Sequence, residues 1–177
     1  IVNTASVAGI YGAGCGCPYP VSKAGVIAFT QSMAWEQAYA DVFPDEYIKA
    51  DTPEKREQEF LSSYRNQDIE YYLICEDKEM VGIIKINSNS ENCEIESLYI
   101  LEEYRNKGYG HQAVTYLKKL YDKAKMQLWV LEYNREARHF YEKNGFKKTG
   151  MTRHINRGND YKQLQYEYEA GDRSCRK

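Results

Sequence analysis

Polar and apolar positions divide the chain into two textures. Residues 1–33 are small, glycine-rich and almost free of charge, with Lys23 the one charged side chain. Ile1–Ser6 predicts a short buried strand, Gly9–Cys17 a glycine-rich loop, and Val21, Ala24, Ile27 and Ala28 recur at the spacing of a helix face. From Trp35 onward charges appear every few residues. Asp51-Thr52-Pro53-Glu54 sets a capping side chain and an early proline ahead of a predicted helix, Glu54–Tyr64.

The pattern then shortens to the period of strands. Ile69–Cys75 and Met80–Asn87 are β-rich runs joined by the charged Glu76–Glu79, which predicts a hairpin, and Cys93–Leu101 predicts a third strand entered by a Ser/Asn turn. Beyond the loop Glu102–Lys107, the positions Ala113, Leu117, Leu120 and Tyr121 form one face of a helix from about Gly110 to Lys123. Met126–Tyr133 follows as a strand, Arg135–Lys143 as a helix stopped by Asn144-Gly145, and Phe146–Thr152 as another strand. In Tyr161–Glu169, Leu164, Tyr166 and Tyr168 alternate with Gln163, Gln165 and Glu167, the signature of a half-buried strand. Ala170–Lys177 lacks apolar residues and is expected to fray. Strands and helices so mixed predict an α/β (α+β) domain.

Composition narrows the classes. At 177 residues the chain has the length of one domain, and 42% hydrophobic with 28% charged residues suffices for a core. Its 24 Lys+Arg against 26 Asp+Glu leave a net charge of −2, so no global basic field collects nucleic acid or a membrane surface. No apolar run reaches the roughly 18–20 residues of a membrane span, and no leader-like pattern opens the chain, so a cytoplasmic protein is expected. The five cysteines are odd in number and scattered, which favours reduced thiols. Cys15 and Cys17 lack a second ligand pair at metal-site spacing, so no metal is expected.

The most informative segment is the strand ending Leu98-Tyr99-Ile100, which runs through Arg105-Asn106-Lys107-Gly108-Tyr109-Gly110 into a helix. The first turn of a helix has unpaired N–H groups and the positive end of the macrodipole, and Gly108 and Gly110 let the backbone curl closely around an anion. Arg105 and Lys107 add positive charge at its rim. A plain turn before a helix would look the same.

With the second motif, Asn134-Arg135-Glu136-Ala137-Arg138-His139-Phe140-Tyr141-Glu142-Lys143-Asn144-Gly145-Phe146, residues from about 35 to 169 resemble the GCN5-related N-acetyltransferase (GNAT) superfamily. The resemblance implies a mixed, mostly antiparallel sheet flanked by helices, here lacking its usual first strand. It implies acetyl-CoA as cofactor, with Leu98, Tyr99, Ile100, Arg105, Asn106, Lys107, Gly108, Tyr109, Gly110, Asn134 and Lys143 as its binding residues; Arg138 is an alternative for the 3′-phosphate. It further implies direct transfer of acetyl to a primary amine. A carboxylate on the strand Cys93–Leu101 would take the amine proton. Glu94 and Glu96 both qualify, with Glu96 preferred; by simple alternation both share a face with Leu98 and Ile100. Tyr141 resembles the acid that protonates the departing thiolate. Expected partners are a small-molecule or peptide amine and a second copy of the chain. A coenzyme A-binding or interaction module without catalysis keeps the same fold.

The amino-terminal segment resembles another family. Ser6, Tyr19 and Lys23, set in Ile1–Ser6 and Tyr19-Pro20-Val21-Ser22-Lys23-Ala24-Gly25, are similar to the catalytic strand and helix of short-chain dehydrogenases. The strands that would carry a dinucleotide are absent ahead of them, and the Gly12/Gly14/Gly16 run does not follow a strand-to-helix turn. Residues 1–34 are therefore expected to be a non-functional fragment, 35–169 the acetyltransferase domain and 170–177 a tail. A remnant NAD(P)-dependent oxidoreductase is the remote alternative. With Ile1 as first residue, a fragment, a processed chain or a joined reading frame is expected.

Overall fold

A computed structural model of the chain describes residues 31–33, 35–63, 66, 68–77, 79–89 and 91–169. The predicted strand Ile1–Ser6, the Tyr19/Lys23 motif, Cys15, Cys17 and the tail from Ala170 lie outside these residues.

Helical residues 31–33 and 35–39 lead into α1 (Asp45–Lys49) and α2 (Pro53–Ser63). The Thr52 hydroxyl accepts a hydrogen bond from the Lys55 amide at 3.3 Å, which is the cap expected ahead of Pro53. The strands β1 (Ile69–Glu76) and β2 (Glu79–Ser88) form the predicted hairpin, and β3 (Asn92–Ile100) pairs antiparallel with β2. A 3₁₀ turn, Glu102–Tyr104, and the glycine loop precede α3 (Tyr109–Leu120), then β4 (Lys125–Leu131), α4 (Arg135–Lys143), β5 (Lys147–Asn156) and β6 (Asp160–Tyr168). The strands make one six-stranded sheet in the order β1-β2-β3-β4-β6-β5. Its β3–β4 pair is parallel and the others antiparallel.

Both faces are covered. On one, Tyr109, Ala113, Val114 and Leu117 of α3 and Tyr141 of α4 bury against Ile84, Ile86, Ile95, Met126, Leu128 and Tyr166. On the other, Phe60 of α2 packs on Tyr71, Leu73 and Ile83, while Trp35 and Phe43 pack on Leu131. Burying such side chains stabilises by about 1.5–3 kcal/mol each before ordering entropy is subtracted.

Two departures from regular pairing shape the centre. First, β3 and β4 pair only over Asn92–Ile95 and Lys125–Leu128; beyond these residues, with β3 running on to Ile100 and β4 to Leu131, the strands part. Second, Ile86 opposes Ile95 but Lys85 opposes Ser97, so Glu96 is a bulge with no partner on β2. That extra residue corrects the alternation expected from the sequence. Leu98 and Ile100 pack on the same core as Cys93 and Ile95, and Tyr99 packs on the opposite face. Glu94 and Glu96 therefore do not share a face with Leu98 and Ile100. β5 also extends past the predicted Thr152, to Asn156. It is an exposed outer strand, so no apolar alternation marks its second half.

Candidate active site

The parting of β3 and β4 opens a cleft of about 500 Å³. Its walls are Leu98, Tyr99 and Ile100 from β3, Trp129 and Leu131 from β4, the loop Arg105, Asn106, Gly108, Tyr109 and Gly110, and Asn134 and Tyr141 from the second motif. Glu96 lines it as well. Three predicted residues stand apart: Glu94, Lys107 and Lys143 are not among its lining residues. Glu94 accepts a hydrogen bond from the Gln127 amide nitrogen at 3.0 Å, and the Lys107 ammonium lies 5.0 Å from the Tyr104 ring centroid. Arg138 is turned away, bonded to the Tyr166 hydroxyl and the Glu132 carbonyl.

The loop is built to receive an anion. Gly108 sits at φ +89° and Asn106 at φ +60°, both left-handed, which turns successive N–H groups toward one side. Gly108 precedes α3 with no side-chain cap, and its carbonyl receives the Gln112 amide at 3.0 Å. Among the described residues, no backbone carbonyl accepts from the amides of Asn106 through His111. Unpaired donors at a helix start favour a phosphate or carboxylate. A Cβ on Gly110 would stand 3.1 Å from Phe140 Cζ, so the glycine also keeps that wall of the cleft open. Tyr104 donates to Glu79 at 3.1 Å, and a hydrogen bond to Glu76 pushes the Tyr109 phenol up to about 12, so two tyrosines tether the loop to the β1–β2 hairpin. This main-chain cradle fits the diphosphate of a coenzyme A, the group the glycine motif implies.

Asn134 is the N-cap of α4: its Oδ1 accepts from the Ala137 amide at 3.0 Å, while its own amide bonds to the Leu131 carbonyl at 3.0 Å. It thereby fixes α4 to the end of the splayed β4. Tyr141 lies between Phe140 and Phe146, with ring centroids at 5.0 and 5.6 Å. Burial pushes its phenol well above the usual tyrosine range, so it stays protonated at neutral pH. Its hydroxyl has no hydrogen-bond partner among the described residues, and the side chain lines the cleft. His111 lines the cleft with its Nδ1 2.7 Å from Asn144 Oδ1.

A second, strongly polar cavity of about 330 Å³ lies on the face of the sheet away from α3 and α4. Glu96, Ser97 and Tyr99 line both cavities, so the bulged part of β3 is their common wall. The Glu96 carboxylate is held there by Lys85 Nζ at 2.7 Å and Asn87 Nδ2 at 3.2 Å. The sequence did not single out Tyr39, Trp129 or Gln163, which line the cleft. For Tyr39 a signal existed: Trp35, Tyr39, Phe43 and Tyr47 recur every fourth residue, an aromatic stripe that packs together.

Among the described residues no cluster of metal-binding side chains occurs, and no helix is long and apolar enough to cross a membrane. Residues 33–146 match the family model described as Acetyltransferase (GNAT) family, and residues 1–43 match that of the short chain dehydrogenases. Over 122 residues the chain is 30% identical to a spermidine N(1)-acetyltransferase of Thermoplasma acidophilum, covering 64% of this chain and 76% of that one. Among solved structures, the PaiA N-acetyltransferase of Thermoplasma acidophilum in complex with coenzyme A superposes with a TM-score of 0.65 at 24% identity, over 84% of this chain and 94% of the other. An N-acetyltransferase of Staphylococcus aureus gives a TM-score of 0.60 at 16% identity, covering 83% and 96% of the two chains.

Proposed function

Because the chain belongs to the acetyltransferase (GNAT) family, whose model spans residues 33–146, we propose that it transfers acetyl from acetyl-CoA to the nitrogen of a small primary amine, with both bound at once. Bound acetyl-CoA supplies an acyl carbon already joined to a thiolate leaving group. The unpaired amides of Asn106–His111 hold its diphosphate, Arg105 adds charge at the rim, and the acyl arm lies between β3 and β4, where neither strand's edge is occupied by the other. Backbone N–H groups near Leu98–Ile100 face the thioester oxygen.

The amine enters from the polar cavity and reaches Glu96. Glu96 takes one proton from the ammonium and passes it to solvent, the freed nitrogen bonds to the acyl carbon and gives a second proton to Glu96, the carbon–sulfur bond breaks, and Tyr141 Oη gives a proton to the sulfur. Solvent returns that proton to Tyr141 and removes the second from Glu96. Lys85 and Asn87 orient the Glu96 carboxylate for this exchange.

The observation that carries the reading is that Glu96 is a wall of both cavities at the point where the strands part, a position Glu94 does not share. The test is release of free thiol from acetyl-CoA across a panel of primary amines, together with calorimetry of coenzyme A binding. Amine-dependent thiol release with coenzyme A binding is expected. Binding without amine-dependent release would leave a coenzyme-binding module, and absence of binding would remove the assignment.

A further inference from the structure

The polar cavity states what kind of amine it suits. Its acids are Asp51, Glu59 and Glu96, and its bases are Lys55, Arg56, Lys85 and Arg157. Each acid is already engaged by a base: Arg56 Nε lies 2.9 Å from Asp51, Arg56 Nη1 3.2 Å from Glu59, and Lys85 2.7 Å from Glu96. The Asp51 and Arg56 side chains are 7% and 20% exposed, so that pair is fixed inside the wall. Among the described residues neither Lys55 nor Arg157 is ion-paired with a carboxylate. Arg157 donates to the Tyr47 hydroxyl and lies with its guanidinium 5.7 Å from that ring's centroid, an arrangement that leaves most of its N–H fork open.

A polyamine needs several carboxylates free to meet its ammonium groups, and among the described residues this cavity offers none beyond the one assigned as base. Its uncommitted charge is positive. We infer that the cavity selects an amine that also carries an anionic group, a carboxylate or phosphate, with Arg157 receiving the anion while the amine lies at Glu96. This inference rests on the acetyl-transfer reading, since it uses Glu96 as the point the amine must reach. The relevant chemistry is bidentate: a guanidinium presents parallel donors that match a carboxylate or phosphate. A spermidine-acetylating relative is thus a guide to the fold and the cleft, and this cavity would turn the specificity toward zwitterionic amines.

The experiment uses matched acceptors that differ by the anion alone: ornithine against putrescine, lysine against cadaverine, and phosphoethanolamine against ethanolamine. Expected is a kcat/KM at least about tenfold higher for the anionic member of a pair, lost in Arg157→Gln and only partly kept in Arg157→Lys, which retains the charge without the fork, with coenzyme A affinity unchanged. Which anionic series responds distinguishes carboxylate from phosphate. If the diamines are the better acceptors and Arg157→Gln leaves every ratio unchanged, the inference is overturned while acetyl transfer stands. If nothing is acetylated although coenzyme A binds, the transfer reading fails. Calorimetry of the same pairs on the coenzyme A complex then decides the cavity: heat from the anionic members that Arg157→Gln abolishes upholds it, and equal or absent heats overturn it.

Discussion

The two cavities that meet at β3 are made of different materials. The cleft between β3 and β4 is shaped by the main chain: unpaired amides, left-handed residues and a glycine that a side chain would push into Phe140. The cavity on the other face is shaped by charged side chains drawn from α2 and the turn before it, β2, β3 and the β5–β6 turn, most of them held by an opposite charge or an aromatic ring. The difference divides the labour. In the proposed reaction, backbone donors would recognise the group that every turnover shares, whereas side chains can be exchanged without disturbing the ladder and so suit the variable partner.

Variants separate the two. The largest effect is expected at the common wall. Glu96→Gln should lower kcat by about 10²–10⁴, the span ascribed to a positioned acid or base, with coenzyme A affinity unchanged by calorimetry. Glu94→Gln, which touches neither cavity, should change kcat by less than about threefold; equal losses in both would erase the distinction. Next, Tyr141→Phe acts on the cleft alone and should lower kcat by about 10–100-fold, with little change in coenzyme A affinity. Because burial raises this phenol above its ordinary range, wild-type kcat should show no alkaline fall from it below about pH 10; a fall that vanishes in the phenylalanine variant would contradict the assignment. Of the three losses, the smallest is expected for Gly108→Val. Forcing a β-branched residue into φ +89° costs about 1–2 kcal/mol. Coenzyme A should bind about tenfold more weakly while KM for the amine stays put.

What could be read in advance follows the same division. β-rich runs marked β1 and β2, alternation marked β6, and the paired motifs Arg105–Gly110 and Asn134–Phe146 pointed to the cleft, because glycine and an N-cap asparagine carry their backbone geometry in their identity. β5 was cut short at Thr152 because an outer strand whose residues from Lys147 to His154 are all exposed leaves no apolar trace. The faces of β3 were misassigned for a different reason. Glu94 and Glu96 alternate faultlessly with Cys93, Ile95 and Ser97, and a bulge becomes visible only when β2 supplies the register. The charged cavity escaped notice altogether, since Arg56 with Asp51 is a local pair but Lys85 with Glu96 and Arg157 with Tyr47 exist only once the sheet brings them together.

Glu96 is also one residue more than the sheet requires. With it excised, Cys93, Ile95, Leu98 and Ile100 would still point inward and Glu94, Ser97 and Tyr99 outward, now in an unbroken rhythm along β3. A chain shortened by that single position should therefore fold as well as its parent or better, zip β3 further along β4, and be inert. The barrier to such a shortened form in an active lineage would be loss of chemistry, with no defect in assembly.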